Sequence, residues 1–139
     1  MQYSIGTLSQ KTGCASQTVR YYEEIGLLSP SRRTEGNQRR FSEHHLEQLT
    51  FIRHGRELGF SLDSLRELME LATSPGASCE TADSIAHRQL EEVNSRIERL
   101  NALKVELERM VYDCNHNKVA TCRVLEVLSN HALCNAHSH

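Results

Sequence analysis

Residues 79–122 read CETADSIAHRQLEEVNSRIERLNALKVELERMVYDCNHNKVATC. One cysteine, Cys79, opens the stretch, and two more, Cys114 and Cys122, enclose a short loop at its end. Between them apolar residues fall at Ala86, Leu90, Val93, Ile97, Leu100, Leu107 and Val111, at alternating spacings of three and four. Lys104 stands at the one position where a further apolar residue is due, and Leu103 and Met110 widen the stripe. This is the seam of a coiled coil, with charges on the remaining faces. A helix over 82–112 runs roughly 45 Å at 1.5 Å per residue. The chain offers little else to cover such a stripe. One arrangement folds the helix into a globular monomer. The simpler one pairs it with the same helix of a second copy, running antiparallel. The start of one helix then lies beside the end of the other, so Cys79 of one copy can meet Cys114 and Cys122 of its partner.

The remaining composition narrows the class. A chain of 139 residues makes one domain, or a small domain with an extension. No apolar run approaches the roughly 18 residues of a membrane span. The N-terminus, MQYSIGTLSQ, lacks the basic-then-apolar character of a secretion signal. The expectation is a cytoplasmic protein with no membrane contact, whose five cysteines (Cys14, Cys79, Cys114, Cys122 and Cys134) stay reduced. Clustered reduced thiols point to metal or redox chemistry rather than to structural disulfides. The net charge of −2 says nothing about nucleic acid, but the halves differ. Residues 1–58 hold eight Lys/Arg against six Asp/Glu, and residues 59–139 hold eight against twelve. A mildly basic first half is compatible with phosphate binding.

The first half reads as a DNA-binding head. Ser4 caps a short helix with Ile5 and Leu8 on its inner face. Thr12-Gly13-Cys14 is a turn, and a second helix starts at Ala15 or Ser16 and ends at Gly26. Two short helices about a tight glycine turn make a helix-turn-helix. The second helix presents Gln17, Thr18, Arg20 and Tyr21, while Val19 and Ile25 face inward. Arg and Tyr suit phosphates, and Gln, Thr and Arg can read base edges. An ordinary amphipathic helix with solvated Arg and Tyr is the competing reading. Pro30 and Gly36-Asn37 are turn signals, and a small hairpin carries Arg32, Arg33, Arg39 and Arg40. A basic hairpin beside a helix-turn-helix is a wing that grips the flanking backbone. Ser42 caps the next helix, with Leu46, Leu49 and Ile52 on one face and Arg53 and Arg56 on another; Gly59 ends it. Ser61 caps a further helix bearing Leu62, Leu65, Leu68 and Met69. Residues 73–78, TSPGAS, break that helix and lead to Cys79.

This order of elements resembles the MerR family of bacterial transcription regulators. The matching stretches are IGTLSQKTGCASQTVRYYEEIGLL, GNQRRF and LTFIRHGRELGFSLDSLREL. Family members tend to carry tyrosines where this wing has Gln38 and Phe41, while Arg39 matches the family arginine. The resemblance implies a mainly α fold: a winged helix-turn-helix head, a long antiparallel coiled-coil dimerisation helix, and a short C-terminal metal-binding loop and helix. The expected layout is a head over 1–72, a linker over 73–81, a dimerisation helix over 82–112, a loop and short helix over 113–128, and a tail over 129–139. It also implies a homodimer on promoter DNA that works with RNA polymerase at the promoter, distorting DNA when an effector binds. The DNA-facing residues on this frame are Gln17, Thr18, Arg20, Tyr21, Asn37, Arg39 and Arg53.

The thiols suggest the effector. Thiolates select soft metals. Cys114 and Cys122 alone suit linear Cu(I). With Cys79 as a third, the set fits Cd(II), Pb(II) or Hg(II). Zn(II) prefers four ligands, with His116 in the loop or water as the fourth. Family members that sense monovalent metals resemble this pattern but carry serine at the Cys79 position, which argues here for a divalent sensor of the cadmium, lead or zinc type. Cys14 is expected in the core. His87 is expected at an interface or the surface, and His44, His45 and His54 solvated or near DNA. The segment CRVLEVLSNHAL reads as two helical turns folded over the loop. The tail with His131, Cys134, His137 and His139 either binds metal loosely or is a disordered end.

Other classes fit less well. A thiol redox or Cu(I)-responsive regulator on the same scaffold is the alternative. An iron–sulfur site wants four close cysteines, and the loop offers two. A drug-binding regulator needs a ligand domain, and few residues follow Tyr112. An enzyme is not expected, since no nucleophile–base pair, Gly-rich phosphate loop or Cys-x-x-Cys pair is present.

Overall fold

The computed structural model describes residues 1–113 and 122–130. The chain divides into two compact units, Met1–Ala86 and His87–His139. The first holds α1 (Ile5–Thr12), α2 (Ser16–Glu24), β1 (Arg32–Arg33), β2 (Arg39–Arg40), α3 (Glu43–Glu57) and α4 (Leu62–Ala72). The long helix α5 (Glu80–Asp113) begins in the first unit and continues in the second, followed by α6 (Arg123–Ser129). The expected mainly helical fold is present. Among the described residues, no helix is long and apolar enough to cross a membrane.

Helix starts follow the capping residues. The Ser4 hydroxyl accepts the Thr7 amide at 3.2 Å, and Ser61 accepts the Ser64 amide at 3.1 Å. In the first unit α1 packs on α2 and α3, and α3 packs on α4. Leu8, Val19, Leu28, Phe41, Leu49, Ile52 and Leu65 are fully or almost fully buried there. At the α3–α4 crossing a Cβ on Gly55 would overlap the Leu65 side chain, so glycine permits the close approach. Arg66 of α4 donates to the Ile25 and Gly26 carbonyls at 3.0 and 3.2 Å, covering the carbonyl end of α2.

The wing is small. Arg32 pairs with Arg40 and Arg33 with Arg39 in an antiparallel ribbon. A ribbon of two residue pairs is not stable alone, so its feet are held from outside. Tyr3 and Phe41 exchange backbone hydrogen bonds of 2.7 and 2.8 Å, adding the N-terminus to the wing. The Tyr3 hydroxyl donates to Glu43 at 2.6 Å. That bond, burial and the Glu43 charge raise the Tyr3 hydroxyl above the usual phenol value. Phe41 lies wholly in the core, its ring and that of His45 in a T-shaped contact.

His45 departs from the expectation of a solvated histidine, being buried. Its Nδ1 accepts the Ser42 amide at 2.9 Å. The ring proton therefore sits on Nε2, which faces the Ser29 and Pro30 carbonyls at 3.0 and 3.3 Å. One imidazole thus joins the chain just before β1 to the chain just after β2.

In the second unit Met110 and Val127 are buried against each other, with Val124 beside them. Met110 thus serves the α6 contact rather than the coiled-coil stripe. Near the start of α5 the buried residue is Ile85, while Ala86 is exposed. Leu90, Ile97, Leu100, Leu107 and Val111 are 49–69% exposed and Val93 is 36% exposed.

His45→Ala leaves the Ser42 amide and the Ser29 carbonyl without their partner. It is expected to lower stability by about 2–4 kcal/mol, measured by denaturant unfolding. A loss below about 0.5 kcal/mol, the size of an ordinary surface change, contradicts the joining role.

Candidate nucleic-acid interface and thiol donors

The turn between α1 and α2 is held by side chains. Gly13 has φ 74° and returns its amide to the Ser9 carbonyl at 2.9 Å, so the left-handed residue is glycine for a steric reason. The Thr12 hydroxyl donates to the Leu8 carbonyl at 2.8 Å and accepts the Cys14 amide at 3.3 Å. Arg53 reaches from α3 to donate to the Thr12 carbonyl at 2.5 Å, and its Nε pairs with Glu57 at 3.3 Å. Arg53, read from the sequence as DNA-facing, is thus engaged at the turn. Cys14 is half-buried against the core, as expected.

With Val19 and Tyr22 buried, helical spacing turns Gln17, Arg20, Tyr21 and Glu24 outward. Thr18 is half-buried. Beside this face the wing turn runs from Thr34 to Asn37, closed by the Asn37 amide on the Thr34 carbonyl at 2.9 Å. Asn37 has φ 62°, a conformation asparagine tolerates. Arg33 donates to its carbonyl at 3.1 Å. A cleft of about 380 Å³ lies between α1, α2 and the wing, lined by Ser4, Arg20, Arg33, Arg39 and Arg40 among others. Four arginines and the opening turn of α1 line this one cleft, a setting that favours an anion.

Arg39 also has an intramolecular partner. Its Nε donates to Glu23 of α2 at 2.8 Å. The second Glu23 oxygen accepts the Ser31 amide at 2.6 Å. Burial pushes the Glu23 carboxyl up, but the bonds from Ser31 and Arg39 and the Arg39 charge outweigh it, and the group titrates below its ordinary value. A carboxyl lowered in the folded state stabilises the fold above its ordinary range, and that contribution is lost as pH falls through the lowered value. Sequence reading missed this pair; the only signal was an acidic residue, Glu23, on the half-buried side of a helix whose outward face is polar.

The described thiols are those of Cys14, Cys79 and Cys122. Cys79 is exposed, one residue before α5, and its carbonyl accepts the Asp83 amide at 2.9 Å. Cys122 is half-buried, just before α6, and its carbonyl accepts the Glu126 amide at 3.0 Å. Cys114, His116 and the tail residues Cys134, His137 and His139 lie outside the described residues. Among the described residues no three His, Cys, Asp or Glu side chains gather to hold a metal.

Comparison with known proteins places this arrangement. Residues 3–72 match the model of the MerR HTH family regulatory proteins, and residues 46–110 match that of the MerR DNA-binding region. The chain belongs to the MerR family. It is 37% identical to the HTH-type transcriptional regulator ZntR of Escherichia coli (strain K12) over 94% of each chain. Among solved structures it resembles PbrR691 of Ralstonia metallidurans CH34 in complex with lead(II), at a TM-score of 0.76 and 35% identity. That match covers 91% of this chain and 98% of the other. It also resembles HiNmlR, a MerR family regulator lacking the sensor domain, bound to promoter DNA, at a TM-score of 0.58 and 27% identity. There the match covers 81% of this chain and 86% of the other. As a MerR-family chain it is a DNA-binding transcriptional regulator, not an enzyme.

Proposed function

We propose that this MerR-family chain is a metal-dependent regulator. As a homodimer it binds a promoter and activates soft-metal resistance or efflux genes when a divalent ion binds at thiols shared between the two copies. The observation that carries the reading is the exposed apolar stripe of α5, with Cys79 at its foot and Cys122 beyond its end. Antiparallel pairing of two such stripes sets the foot of one helix beside the end of the other. Cys79 of one copy then faces the loop of its partner.

The donor set fits a soft divalent ion. Cys79, Cys114 and Cys122 would hold it, with His116 a candidate fourth donor where the ion is zinc. The bound ion supplies the positive charge that lets three anionic sulfurs converge. The relation to ZntR and to the lead(II)-bound PbrR691 supports a metal effector of this kind.

The head does the DNA work in this reading. Arg20, Arg33, Arg39 and Arg40 neutralise backbone phosphates, while Gln17 and Thr18 face base edges. Tyr21 and Asn37 add polar contacts beside them, and Arg53 acts by fixing the turn. The metal changes which dimer geometry is favoured, and the heads impose that geometry on the promoter, whose deformation costs a few kcal/mol. RNA polymerase reads the deformed promoter.

Arg20→Ala is expected to weaken binding similarly on related sequences and to reduce the slope of log affinity against log salt by about 1. An unchanged slope counts against a phosphate role.

A mixed dimer tests the shared site. One chain carries Cys79→Ser, and the other carries Cys114→Ser with Cys122→Ser. If Cys79 acts across the interface, both lesions fall on one site. About half of the Cd(II) capacity then remains at full affinity in a metal titration. Loss of every intact site would mean that one chain supplies all three thiols.

A further inference from the structure

We propose that Glu23 is a positioning residue for DNA binding: it aims Arg39 into the basic cleft and ties β2 and the lead into β1 to the recognition helix. The inference rests on the reading of that cleft as a phosphate site.

Glu23 stands in α2, two residues beyond the outward-facing Tyr21. Its two carboxylate oxygens take different partners. One accepts Nε of Arg39, in β2, at 2.8 Å. The other accepts the amide of Ser31, immediately before β1, at 2.6 Å. A single carboxylate therefore spans from the helix to β2 and to the residue that leads into β1. The carboxylate is shielded, with the Glu23 side chain 15% exposed and that of Arg39 27% exposed. It lies off the basic cleft, whose lining includes Arg39 but not Glu23.

An arginine side chain carries about 2 kcal/mol of rotamer entropy, which must be lost to hold a phosphate. Holding Nε removes much of that freedom before DNA arrives, because the planar guanidinium turns as one body. The remaining Nη groups are then presented from a side chain that already lines the cleft. The ion pair does this only while Glu23 is ionised, and its partners keep the carboxyl below its ordinary value. Arg33 and Arg40 line the same cleft from the same ribbon. They gain from the second bond, which fixes the ribbon's first strand through Ser31.

The geometry also allows the opposite outcome. A carboxylate on an arginine can compete with phosphate for it, and removing that carboxylate would then tighten binding. The two cases differ in the sign of one measurement.

The test uses the full chain and random-sequence duplex DNA at low salt, which reports phosphate contacts without a known operator. Anisotropy titrations compare the parent chain, Glu23→Gln, Arg39→Ala and the double variant. Glu23→Gln keeps the side-chain size and one acceptor, and a thermal melt confirms that it folds. Arg39→Ala is expected to weaken binding about tenfold, the order of one charge-assisted hydrogen bond. Glu23→Gln is expected to weaken it severalfold and to lower the salt slope, although it removes a negative charge. The double variant should bind like Arg39→Ala, because Glu23 acts through Arg39. Tighter binding by Glu23→Gln, or losses that multiply in the double variant, overturns the positioning role alone. No effect of Arg39→Ala overturns the phosphate reading of the cleft and this inference with it.

Discussion

The apolar stripe of α5 needs a partner. Leu90, Val93, Ile97, Leu100, Leu107 and Val111 stand on a helix of 34 residues, each at least a third exposed. The described chain buries Met110 under α6 but leaves the stripe uncovered. Covering a half-exposed aliphatic side chain stabilises by on the order of 1 kcal/mol. Six side chains from each of two copies reach the size of the association cost, roughly 4–15 kcal/mol. In the proposed dimer this one interaction sets everything downstream: which thiols meet, and how far apart the two heads stand on DNA.

Within the head, tertiary bonds substitute for size. Its wing has two residue pairs and α2 nine residues. Neither is stable by itself. Rigidity comes from a few side chains that join distant pieces of chain: Glu23 from α2 to β2 and to the residue that leads into β1, His45 between the two feet of the wing, Arg53 from α3 to the helix-turn-helix turn, and Arg66 from α4 to the end of α2. In the proposed mechanism the heads transmit force to DNA, and these bonds are where the small elements gain stiffness.

Local signals in the sequence were reliable where the physics is local. Ser4 and Ser61 cap their helices, Gly13 takes the left-handed turn, and Val19 points inward by spacing alone. The long helix was legible because its period persists for many turns. What escaped depended on partners far along the chain. His44-His45 follows Glu43 and looks polar, yet His45 is buried because Ser29, sixteen residues earlier, offers it a carbonyl. Arg39 and Arg53 read as DNA-facing cations, and nothing local in the sequence signals the intramolecular partner each also has, Glu23 in one case and Thr12 in the other. Met110 fits the stripe by spacing and is claimed by α6 instead. The thiol set rests on chemistry and spacing, with Cys79 and Cys122 described and Cys114 and His116 outside the described residues.

Sedimentation equilibrium of the chelator-treated chain tests the central claim most directly. The stripe is apolar whatever the thiols bind, so association should not require metal. The account predicts a species of twice the 15.8 kDa chain mass at micromolar concentration with no metal present. A stable 15.8 kDa monomer under those conditions, dimerising only when Cd(II) is added, would contradict it.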